Sequence, residues 1–89
     1  MEQYLGPAII EVARSGVLVI AQLFSARDPS DGKVNWCGRA TPKPPGSLWP
    51  AYIAQGATLR IGRDVRRVVI TQCGEPGASE LTGNGPPPF

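Results

Sequence analysis

Hydrophobic residues in this chain fall in short β-branched runs rather than at helical spacing. The first two runs, Ala8-Ile9-Ile10-Glu11-Val12-Ala13-Arg14 and Val17-Leu18-Val19-Ile20-Ala21-Gln22-Leu23-Phe24, flank Ser15-Gly16. A helix over the first run would put Pro7 at a permitted first-turn position and stop at Gly16. A hairpin with a Ser-Gly turn explains both runs together, because adjacent β-branched segments gain most by pairing with each other. The hairpin is the preferred reading. Arg27-Asp28-Pro29-Ser30-Asp31-Gly32 is the clearest turn, with a proline restraint and an Asp-Gly ending. After it, residues 33–40 alternate at period two with Val34 and Trp36 on one face, as in a half-buried strand.

The stretch Thr41-Pro42-Lys43-Pro44-Pro45-Gly46-Ser47 reads as a stiff extended loop, since no helix or inner strand passes through such proline density. Leu48-Trp49-Pro50-Ala51-Tyr52-Ile53-Ala54 reads as a strand edge or one short turn. The best hairpin follows: residues 57–61, a turn at Gly62-Arg63-Asp64, and a return over residues 65–73. Gly74-Glu75-Pro76-Gly77 is expected to close the domain. Five to six short antiparallel strands joined by Gly/Pro turns predict an all-β fold, a small barrel or sandwich. Residues 1–7 are expected to form an N-terminal arm, 8–77 a single β domain, and 78–89 a Gly/Pro-rich tail.

Composition sharpens this picture only in part. Eleven Gly and ten Pro among 89 residues leave a core that is small and gains from a partner. Net charge is +2, too mild to mark a nucleic-acid binder. The distribution says more, because Arg60, Arg63, Arg66 and Arg67 crowd into one hairpin. Arg suits interfaces through its planar, weakly hydrated fork. Arg60 should lie opposite Leu59 and Ile61, and Arg66 and Arg67 should point to opposite faces, since side chains alternate along a strand. No basic leader and no apolar run of membrane-spanning length is present, so the expected location is a cytoplasm, or a virion assembled in one.

Catalytic chemistry finds little support. The chain has no His, the commonest general base and metal ligand. Cys37 and Cys73, without His, make no zinc site and are expected to be buried free thiols. Asp28 and Asp31 read as turn residues bonding their own backbone. The expectation is a non-enzymatic protein with no cofactor and no metal.

Three segments end in apolar or aromatic anchors: the arm in Tyr4 and Leu5, the Pro42–Pro50 loop in Leu48 and Trp49, and the tail in Pro86, Pro87, Pro88 and Phe89. Proline-rich segments lose little entropy on docking, and large aromatics dominate interface energetics. The expected function is a structural or assembly protein that docks on neighbouring subunits through arm, loop and tail, as a homo-oligomer or within a larger complex. By analogy of architecture its class would be a virion accessory protein of a phage, such as a capsid decoration or tail-connector subunit. The alternative is a small inhibitor or binding module that recognises an anionic partner, nucleic acid or nucleotide, through the Arg-rich hairpin. No membrane partner is expected.

Overall fold

Six strands close on themselves in a computed structural model that describes residues 2–43, 46–54, 56–74 and 78–89. They are β1 (Glu2–Val12), β2 (Ser15–Arg27), β3 (Val34–Pro42), β4 (Ala57–Ile61), β5 (Asp64–Gln72) and β6 (Ser79–Asn84), with a single short helix α1 (Trp49–Ala54) among the described residues. Around the barrel the order is β1-β2-β3-β6-β5-β4, every pair is antiparallel, and β4 returns to β1. Closure removes most of the exposed edge that a flat six-stranded sheet would leave. The all-β expectation holds, and of its two forms the barrel is the one adopted. No helix among the described residues is long and apolar enough to cross a membrane.

The first hairpin forms as the β-branched runs require, but its turn lies two residues earlier than Ser15-Gly16. Val12 pairs with Ser15, so Ala13 and Arg14 make the turn, and Ala13 takes a left-handed φ of 53°. A β-branched Val12 could not occupy that position as cheaply. Moving the turn keeps Ile10 facing Val17 and Ala8 facing Val19 inside the barrel. One register step would have turned every one of these side chains outward.

Alternation then fills the interior. Ala8, Ile10, Val19, Ala21, Leu23, Trp36, Ala40, Leu59, Val68, Ile70 and Leu81 are buried. Three of them are alanines, and small side chains are what a narrow six-stranded barrel can hold beside one indole. Trp36 lies against Gly83, and its Nε1 has no hydrogen-bond partner among the described residues. An orphan buried donor costs about 1–3 kcal/mol, which burial of the large ring offsets.

Three expectations need correction. There is no N-terminal arm, because residues 2–7 belong to β1 and pair with β2 from Glu2–Ser25 onward. The domain does not end near Gly77: β6 lies between β3 and β5 and completes the barrel. The last residues are no free tail either. Pro88 is buried, Phe89 stacks on Tyr4 at 6.0 Å, Arg66 Nε donates to the Pro86 carbonyl at 3.0 Å, and the Gly85 N–H bonds the Val34 carbonyl at 3.1 Å. Such a segment cannot join a ladder because prolines lack the donor, yet it can pack across the end of one.

The segment around Trp49 is helical rather than a strand edge. Ser47 Oγ accepts the Trp49 N–H at 3.2 Å, Pro50 occupies the first turn, and Leu48 and Ala51 are buried against the core. Within the expected stiff loop, Thr41 and Pro42 belong to β3, while Pro44 and Pro45 lie outside the described residues, as do residues 75–77 of the expected closing turn. In the 28–33 turn, Asp28 Oδ1 accepts the Ser30 N–H at 2.8 Å and the Ser30 hydroxyl at 2.7 Å, which holds its carboxyl below the usual carboxylate range. Cys37 is exposed and Cys73 half-buried, both as free thiols, so Cys37 departs from the buried position expected of it.

Candidate functional site

The barrel wall sorts its outward side chains into rows that run across paired strands. On β1 these are Gln3, Leu5, Pro7, Ile9 and Glu11, and on β2 they are Leu18, Ile20, Gln22 and Phe24. Pairing sets Ile9 beside Leu18, Pro7 beside Ile20 and Leu5 beside Gln22. Leu5 is 74% exposed, Ile9 37%, Leu18 46% and Ile20 38%, with Pro7 exposed between them. These five make one contiguous apolar face. Glu11 is the single charge among the outward positions just named, and Arg60 of β4 binds it at 3.0 Å.

The β3 and β6 walls alternate normally, while β5 sets exposed Val65 and Val69 among its outward positions. The outward positions of β3 are Asn35, Cys37, Arg39 and Thr41, those of β6 include Glu80 and Thr82, and Arg39 approaches Glu80 at 4.0 Å. Strands covered on one side only read as apolar-in and polar-out; strands covered on both read as continuous apolar runs. In composition, β1 and β2 are strands of the second kind on a barrel that covers one side of them. This is the signal that the sequence reading missed at Pro7, Ile9, Leu18 and Ile20. It was present in the unbroken run Val17-Leu18-Val19-Ile20-Ala21, read there only as strand propensity.

The edge of the same face is blocked against strand addition. β1 pairs with β4 only from Ile9 to Glu11, which leaves its N-terminal half without a neighbour strand on that side among the described residues. Pro7 has no N–H to offer there, and the Tyr4 hydroxyl donates to the Pro7 carbonyl at 2.6 Å. Strand addition at that edge is therefore disfavoured.

The residues expected to make contacts are distributed differently from the expectation. Tyr4 faces inward and stacks on Phe89, so those two anchors occupy each other, and Pro87 is half-buried. Leu48 is fully buried beneath α1. Trp49 is exposed, tilted against Tyr52 at 5.5 Å, and shares the helix surface with exposed Ile53.

The arginines separate in the same way. Arg60 binds Glu11, and Arg66 points inward to hold Pro86 and the Val65 carbonyl. Arg63 and Arg67 are exposed, with no ion pair or hydrogen bond among the described residues. Two of four arginines are thus used internally, and the hairpin presents no four-arginine ridge.

Shallow grooves also cross the surface. One of about 680 Å³ crosses Phe24, Ala26, Asn35, Cys37 and Thr82, and one of about 550 Å³ runs past Glu11, Ala13, Thr58 and Arg67. Both are open. Among the described residues, no three His, Cys, Asp or Glu side chains gather as metal ligands would.

Residues 1–89 match a family described as a domain of unknown function, DUF4873. No curated protein matches the chain, and no solved structure does.

Proposed function

Taking the chain as what it is, a member of the DUF4873 family, we propose that it is a non-enzymatic assembly subunit that packs against a neighbouring protein through the outer face of β1 and β2. The observation that carries this reading is the contiguous uncharged surface of Leu5, Pro7, Ile9, Leu18 and Ile20 on strands whose inner faces are already buried. The largest contiguous apolar patch on a small protein is often functional, above all where polar residues rim it. The lack of His leaves acid–base chemistry near neutrality without its usual residue. In the gripping form of this reading, a capsid decoration or tail-connector subunit would hold its neighbours by arm and tail; here a wall of the barrel takes over that task. Trp49 and Ile53 on α1 are a smaller, separate apolar spot.

Photo-crosslinking tests the reading site by site. A benzophenone side chain in place of Leu18 is expected to form protein adducts in the producing cell. The same side chain in place of Arg63, exposed in the β4–β5 turn, is expected to form few or none. Equal yields at the two positions, or no adduct at 18, would overturn it.

A further inference from the structure

Resting on that docking reading, we infer that the partner on the β1–β2 face is a second copy of this chain, arranged about a two-fold axis that lies in the interface and crosses the strands at the Pro7–Ile20 pair. Charge is the first ground. Glu11, the one charged group among the outward residues from Gln3 to Glu11 on β1 and from Leu18 to Phe24 on β2, is neutralised within its own chain by Arg60 at 3.0 Å and stands at the far end of the strip from Gln3. A two-fold in this position sets Glu11 of one protomer opposite Gln3 of its partner, so the two like charges stay apart. The apolar centre of the face is therefore compatible with itself, whereas it offers a strongly charged partner nothing to pair with.

Shape is the second ground. The same axis brings Leu5 of one protomer over Ile9 of its partner, Pro7 over Pro7, Ile20 over Ile20, and Gln22 over Leu18. Apolar groups meet apolar groups at three of those four levels. An isologous contact requires this self-matching, and most soluble homo-oligomers are built from such contacts. Two sheets packed face to face keep their strands within about 30° of each other, which an antiparallel pair of long strands permits.

Area is the third. From Gln3 to Glu11 the face is about 27 Å long at about 3.3 Å per residue, and it is about 20 Å wide once the polar rim of Arg39 and Thr41 on β3 and Arg60 on β4 is included. A patch of that size buries roughly 1,000–1,300 Å² in total, at the low end of specific interfaces. It suits a dimer of micromolar rather than nanomolar affinity.

Sedimentation velocity of the purified full chain, from about 5 µM to about 500 µM, tests the inference, because a micromolar Kd lies inside that range. The wild type is expected to pass from a 9.4 kDa monomer to a dimer of twice that mass. Leu18→Glu should remain a monomer throughout with an unchanged circular dichroism spectrum, since Leu18 is half exposed. Val69→Glu, an equally exposed aliphatic position on another wall, should dimerise like the wild type. A wild type that stays monomeric to 500 µM, or a Leu18→Glu variant that dimerises normally, would overturn the self-partner. If that failure came with a crosslink from position 18 to a different protein, the docking reading would survive it; with no crosslink at 18, both would fall.

Discussion

Gly38→Ala is expected to unfold much of the population, although it adds one methyl group. Gly38 occupies an inward position of β3, opposite Leu23 of β2 and Leu81 of β6. A Cβ there would run into the Gln22 carbonyl oxygen and come within 2.8 Å of Leu23 Cα. Both obstacles are backbone, and β2 is held from Val19–Pro42 to Arg27–Val34 in one unbroken register. Relief would require breaking that ladder. Overpacking a core costs about 1–3 kcal/mol when side chains can give way, and more when they cannot. A chain of this size has about 4–13 kcal/mol in all. A loss of 3 kcal/mol or more should lower the Tm by over 10 °C, at about 4–8 °C per kcal/mol. Gly83→Ala meets the Trp36 ring, including Cη2 at 2.9 Å, and should be nearly as harmful. Gly56→Ala, which meets nothing within 4 Å, is the neutral control. Thermal melts followed by circular dichroism decide the matter. A Gly38→Ala protein melting with the Gly56→Ala control would mean that β2 and β3 do not approach as described.

Deletion of residues 86–89 is expected to destabilise the barrel itself. It removes buried Pro88, the Phe89–Tyr4 stack and the Pro86 carbonyl that receives Arg66. Burial of a side chain of Phe size contributes about 1.5–3 kcal/mol, and a hydrogen bond from a charged donor about 1.5–3 kcal/mol at most when shielded. A combined loss of about 3 kcal/mol should lower the Tm by about 12–24 °C. Deleting residues 82–89 also removes the pairing of Thr82, Gly83 and Asn84 with β3, and should leave no cooperative transition. If the segment were a clasp for another molecule, either deletion would keep the melt and change only the assembly. Urea unfolding of the two truncations separates the alternatives, since a lost fold lowers the midpoint and a lost clasp does not.

The hairpin of β4 and β5 was legible because it obeys the simplest rule: Leu59 and Ile61 share a face, Arg60 takes the other, and Gly62 permits the turn at φ 61°. β3 was legible for the same reason, through Val34 and Trp36. The first seven residues were not, because β1 carries Tyr4 and Gly6 inward but Leu5 and Pro7 outward. Without contrast between the faces, period two vanishes and a proline beside a glycine reads as a break. β6 was hidden differently. Gly83 in Ser79–Asn84 looks like linker composition, yet the residue at that position must lack a side chain because Trp36 lies on it. The same loss of contrast hid the candidate site. A strand pair apolar on both faces looks like a good strand pair, and only its closure into a barrel reveals that one apolar face has no cover.

Methyl NMR of the isotopically labelled full chain, recorded dilute and concentrated, asks most directly whether the β1–β2 wall is where this barrel meets its own copy. The methyl signals of Leu5, Ile9, Leu18 and Ile20 should move together with concentration, while those of Ile53 on α1 and of Val65 and Val69 on β5 stay in place. Signals of the first four that hold still, whether alone or while Ile53 or Val69 move, would contradict it.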